Sequence, residues 1–199
     1  DAIDFYKALA ELSNPTGNAS VAESLFASLA RRHPENAAYV VNRFAARLSM
    51  VIGRDLFAKL DVAEIPAARE AMKEADRALQ DAFGVESQDA SIHGANRALL
   101  LLAIGRNEEA YQALQRYKTE NESDRLAAYS AVALARMERE DEANAILAAS
   151  EAAHPNSDVL KAAREHLNLG APADLGVLSV STDDPVAASQ AHDLVGGLH

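Results

Sequence analysis

The stretch GRNEEAYQAL, Gly105 to Leu114, reads as a helix that opens on acids and closes on apolar residues, and REDEANAIL, Arg139 to Leu147, does nearly the same. In each, an acid is followed by alanine and then, four positions on, by leucine: Glu109, Ala110, Leu114 and Glu142, Ala143, Leu147. On a helix these side chains share one face. The two alanines lie 33 positions apart (143 minus 110), which marks a repeated supersecondary unit.

Two helices cross closely only where small side chains occupy the contact, so each alanine is a point of approach and each leucine fills the gap between units. Around Ala110 the pattern predicts a unit at 91–123, with helices near 92–104 and 107–119. Around Ala143 it predicts a unit at 124–157, with helices near 124–137 and 140–153, closed by HPNS, His154 to Ser157, where Pro155 stops the helix. HPEN, His33 to Asn36, closes a helix near 20–32 in the same way, with Ala22 as its anchor. The helix before it, near 3–12, turns Tyr6, Leu9 and Ala10 inward, and the first unit is 3–36.

The second unit, 37–90, is irregular. Its first helix, from Ala37, carries Val40, Val41, Phe44, Leu48 and Val51 and meets IGRD at 52–55, an echo of IGRN at 104–107. Its second helix opens only at Pro66, after LFAKLDVAEI, and runs to about Phe83. The unit is expected to be expanded by roughly 20 residues through an extended helical hairpin. Residues 158–169 form a capping helix ending at Gly170, and 170–199 an irregular tail, with a short helix from Asp184-Pro185 to Val195.

Hydrophobic residues make up 49% of the chain but aromatics only 5%, so alanine dominates the apolar total and helices are favoured. The absence of cysteine removes disulfides, thiolate metal sites and cysteine nucleophiles, and fits a reducing compartment. The chain does not begin with methionine, so cytoplasmic, periplasmic and secreted locations all stay open. A net charge of −11 repels phosphate, which argues against nucleic acid as a partner. The longest apolar run, Ala98 to Ile104, is far short of a membrane span.

Chemistry is not legible. The six histidines are scattered without metal-ligand spacing, and no phosphate-binding glycine loop, nucleophile elbow or calcium loop is present. The acids at Glu108-Glu109 and Glu140 to Glu142 sit in first helical turns, where they complement the helix dipole. The expectation is therefore of no enzyme, no cofactor and no catalytic or metal-binding residues.

The units resemble the tetratricopeptide repeat (TPR) family, whose unit of about 34 residues has small residues at helix contacts and a proline at its close. The resembling positions are Tyr6, Leu9, Ala10, Gly17, Ala22, Phe26, Leu29 and Pro34, then Ala98, Leu101, Gly105, Ala110, Leu114 and Tyr117, then Ala131, Leu134, Ala143, Leu147 and Pro155. The family's tryptophan is missing throughout, and the unit at 91–123 lacks the closing proline. The resemblance implies an all-α, TPR-like right-handed α-solenoid of antiparallel helix pairs over 1–169, with an expanded second repeat, a capping helix and an irregular tail. It also implies a scaffold or adaptor whose concave groove, lined by first helices, binds protein or peptide. Carried onto this register, the groove residues are Lys7; Val41, Asn42 and Ala45; Asn96 and Leu99; and Arg125, Val132 and Arg136. A partner's apolar segment, or the chain's own tail through Leu175, Val177, Leu178 and Val180, would occupy it. Three rivals remain: a homodimer or other homo-oligomeric assembly module; a regulatory or substrate-docking segment of a larger enzyme; and an enzyme with a pocket in the irregular middle unit, disfavoured because no acid-base-nucleophile set is recognisable there.

Overall fold

The alanine-rich amphipathic runs fold as nine helices among the described residues, with no strand between them. In chain order they are α1 (Ala2–Ser13), α2 (Ala19–Arg32), α3 (Ala37–Ile52), α4 (Ile65–Ala82), α5 (Gln88–Ala103), α6 (Asn107–Arg116), α7 (Asp124–Ala135), α8 (Glu140–Ala153) and α9 (Asp158–Leu169). The computed structural model describes residues 1–14, 16–53, 55–57, 59–60, 63, 65–82, 88–116 and 123–169. The tail at 170–199, its expected helix, and Tyr117 lie outside the described residues.

Local chemistry sets the helix starts. The Asn18 side chain accepts from the amides of Ser20 at 3.0 Å and Val21 at 3.3 Å, Asn36 caps α3 through the amide of Ala38, and Ser123 caps α7 through that of Arg125. Each satisfies amide groups that the first helical turn leaves unpaired. At Gly17 the chain passes so close to the backbone of Glu11 that an added Cβ would lie 2.0 Å from its carbonyl oxygen. Only glycine fits there.

The repeat is written in the turns. The amide of Arg106 returns to the carbonyl of Leu101 at 2.8 Å, and that of Arg139 to Leu134 at 3.0 Å. Both turns contain a left-handed residue, Gly105 at φ 77° and Glu138 at φ 63°, 33 positions apart (138 minus 105). Each is followed by the same ion pair, Arg106 with Glu109 and Arg139 with Glu142. Glutamate occupies a conformation that costs L residues roughly 1 kcal/mol, and glycine does so freely. Since a Cβ on Gly105 would meet nothing within 4 Å, Gly105→Ala should cost about 1 kcal/mol from the backbone alone. Glu138→Gly should be neutral or stabilising by a few tenths, because the relief of strain slightly exceeds the entropy added to the unfolded chain. Thermal melts of both variants check this, and a clear loss from Glu138→Gly would contradict it.

Packing is local in sequence. α1 packs on α2, α3 on α4, α5 on α6 and α7 on α8, while α3, α5, α7 and α9 also lie side by side in turn. The result is a helical repeat-like all-α architecture. One hydrophobic cluster joins α1 and α2 to Tyr39, Ala45 and Ala46 of α3, and the other runs from Phe44 of α3 through to α9. The anchors Ala22, Ala110 and Ala143 are all buried, as are Phe26, Leu114 and Leu147 four positions after them, and Ala71 on α4 is buried too. Leu114→Ala should therefore lower stability by about 2 to 4 kcal/mol by opening a cavity. Ala110→Leu should cost about 1 to 3 kcal/mol by overpacking. Chemical denaturation measures both.

Two expectations are corrected. α1 turns Phe5, Ala8, Leu9 and Leu12 onto α2, so Tyr6 and Ala10, expected inside, lie on its exposed side. The extended hairpin expected in the second unit is not seen among the described residues. Gly53, at φ 66°, ends α3 with its amide on Ser49, and the described residues between it and α4 are not helical.

Candidate functional site

The nine groove positions divide by burial. Val41, Asn42 and Ala45 on α3, Asn96 and Leu99 on α5, and Val132 on α7 have no accessible surface. Val41 packs with Ala37 and Ile92 where α3 meets α5, and Leu99 and Val132 belong to the main core. Their side chains are interior here, so an apolar surface open at these positions is not what the fold presents. Lys7 is exposed on α1, Arg125 is part-buried at the start of α7, and Arg136 is part-buried just beyond its end.

Arg136 brings distant parts of the chain together. One guanidinium nitrogen donates to the carbonyl of Leu102 on α5 at 3.0 Å, and another to the carbonyl of Phe57 at 2.6 Å. Burial lowers the pKa of Arg136, with the charge of Asp55 opposing it. Arginine's high intrinsic value keeps it a cation. The Phe57 ring stands edge-on to Tyr129 of α7, centroids 5.9 Å apart, and against His166 of α9 at 5.1 Å. Burial also raises the phenol of Tyr129, with the Arg125 guanidinium acting against it. The amide of Leu60 donates to the carbonyl of Ala103 at 3.0 Å. Leu56 and Phe57 are 1% and 2% exposed. Phe57 and Leu60, which stand between α3 and α4, thus meet α5, α7 and α9 between them.

None of Leu56, Phe57, Leu60 or Tyr129 was singled out from sequence, and His166, expected as a solvated helix residue, is part-buried against Phe57. The available signal was the interruption itself. After Gly105 the next helix starts within two residues, at Asn107, whereas after Gly53, in the same IGR context, it starts at Ile65.

A second cluster joins α4 to α5. The Asp76 carboxylate takes a hydrogen bond with Nε2 of fully buried His93 at 2.7 Å and an ion pair from Arg97, while Phe44 stands edge-on to the His93 ring. Across α2, α3 and α4, Arg43 bridges Glu23 at 2.9 Å and Glu74 at 2.8 Å, and Arg47 also reaches Glu23. These groups pair with one another and tie neighbouring helices together, while Nδ1 of His93 is buried without a hydrogen-bond partner. Among the described residues no cluster of three or more histidine or acidic side chains is placed to hold a metal ion, and no helix is long and apolar enough to cross a membrane.

Compared with protein-family models, with curated proteins and with solved structures, the chain matches none, so its function is read from its own residues.

Proposed function

We propose that the chain is a protein- or peptide-binding scaffold of TPR-like design, a right-handed α-solenoid with no chemistry of its own. Its ligand face belongs to the first helices of successive pairs, α1, α3, α5 and α7. The observation that carries this is the recurrence of one turn, left-handed residue and ion pair included, at a 33-residue interval. Sequence-local packing, in which each pair of helices buries its apolar face against the next, is the arrangement such arrays use. A ligand would be an extended segment bearing apolar side chains, held by contacts from Lys7, Arg125 and Arg136. The interior positions Val41, Asn42, Ala45, Asn96, Leu99 and Val132 would support that face from beneath.

Panning a displayed random-peptide library against the full chain tests this. Enrichment of apolar, aromatic-bearing peptides is expected, with binding weakened by Lys7→Glu and Arg136→Met in variants that keep the parent's helical signal. Peptides indifferent to both substitutions would remove the proposed face.

One observation favours an assembly role. Ile3 is 82% and Tyr6 58% exposed, one turn apart on α1, the first of the described helices. Large apolar groups left in water in this way mark a contact surface. Light scattering across a range of concentrations, with Tyr6→Lys as the comparison, separates a homodimer through this face from a monomer.

A further inference from the structure

The turn after α3 carries ten more residues than its counterpart after α5, counted from Gly53 to Ile65 and from Gly105 to Asn107. A helical pair of this kind does not need them, because the shorter turn already joins α5 to α6. Among the described ones, Lys59 and Ala63 are exposed, but Leu56 and Phe57 are not. These two adjacent apolar side chains are held out of water, and Phe57 and Leu60 between them meet α5, α7 and the capping helix α9. The Phe57 ring lies between Tyr129 and His166, and Lys59 next to Leu60 remains exposed.

The main-chain contacts are those of a bound peptide. One carbonyl, that of Phe57, accepts from Arg136, and one amide, that of Leu60, donates to the carbonyl of Ala103. The Asp55 side chain accepts from the amide of Phe57 and turns the segment inward. Two side-chain anchors, one charged donor and one backbone acceptor make a recognition surface for a short extended segment. Arg136 also holds Leu102 of α5, so the donor is fixed in place by the scaffold.

We propose that Asp55, Leu56, Phe57 and Leu60 are a resident ligand, bound in cis to a peptide site formed by α5, α7 and α9. That site takes an extended partner segment presenting an aliphatic side chain followed directly by an aromatic one. The partner is protein, recognised by that pair of side chains and by one main-chain carbonyl offered to Arg136. This rests on the peptide-binding function proposed above and gives its ligand a chemistry. Because the occupant is covalently tethered, it competes at an effective concentration in the millimolar range. External peptides would then bind the intact chain weakly until the segment is displaced.

The test uses the full chain with residues 55–60 replaced in place by a glycine-serine run of equal length. The probe is a fluorescently labelled synthetic peptide of residues 53–62, GRDLFAKLDV, followed by anisotropy. Circular dichroism melts accompany each variant. The replaced chain should keep a cooperative helical transition and bind the probe, while the intact chain should bind it at least about tenfold more weakly because of the tethered competitor. In the replaced background, Arg136→Met should weaken the probe about tenfold or more, since it removes a charge-assisted hydrogen bond. Loss of the cooperative transition on replacement would make the segment part of the core and overturn the proposal. A folded replaced chain that ignores the probe would overturn it equally. If the probe binds but an unrelated peptide with the same aliphatic-aromatic pair does not, the resident ligand stands and the wider peptide-binding function falls.

Discussion

Leu99→Asp is expected to abolish the cooperative thermal transition of the chain. Leu99 has no accessible surface and sits in the larger hydrophobic cluster, on α5, which packs against α3, α4, α6 and α7. Removing the side chain forfeits about 2 to 3 kcal/mol of transfer free energy. Burying an unpaired carboxylate there costs several kcal/mol more, or forces its protonation at a similar cost. A domain of this size is stable by only about 5 to 15 kcal/mol, so the sum removes most or all of it. Circular dichroism melting decides. A variant that melts within a few degrees of the parent would mean that Leu99 faces an open groove after all, as its place in the repeat had suggested.

Asp76→Ala is expected to cost about 1 to 3 kcal/mol, because it leaves fully buried His93 and the neighbouring, part-exposed Arg97 without their shared acceptor. Burial works against the Asp76 carboxylate, yet the hydrogen bonds from His93 and Arg97, with their charges, outweigh it and hold its pKa below the ordinary value. A carboxyl whose pKa is depressed by folding adds stability above its unfolded value of about 3.9 and loses it as pH falls through the folded value. Asp76→Asn keeps the shape and removes the titration. The stability gap between parent and Asp76→Asn should therefore be full at neutral pH and close as pH drops below about 4. Denaturant titrations at a series of pH values measure it, and a gap that persists unchanged into acid would show that the carboxylate's charge is not what the cluster uses. Glu23, held low by Arg43 and Arg47 against its own burial, contributes to the parent's acid sensitivity in the same direction. Comparison with the single variant at each pH removes that background.

Most helices were legible because their causes are local. Asn18, Asn36 and Ser123 cap the helices that follow them, and the boundaries of α8 and α9 match the sequence expectation. The repeat was legible through alanine-leucine spacing, and its anchors are buried at each place. A small side chain at a helix crossing is a steric requirement that any partner helix imposes, so it leaves a mark in sequence. The inward face of α1 was less legible. Tyr6 and Phe5 are both large and aromatic, and only the direction from which α2 approaches decides which of them is covered.

The candidate site was legible only in part. Arg136 was expected to face a ligand, and it holds a peptide carbonyl, but that carbonyl belongs to Phe57, 79 positions away in the same chain. Nothing in the pattern around Arg136 encodes which segment reaches it. The same is true of the partners of Asp76, which lie 17 and 21 positions further along.

From sequence alone came the all-helical class, the 33-residue interval and the identity of the small contact residues, since helical period, capping and steric approach act within a few turns of the chain. Which faces are open and which are filled came only from the tertiary structure. Burial is a property of what lies across from a side chain, and here Phe57, from an interruption with no helical period, lies across from α7 and α9.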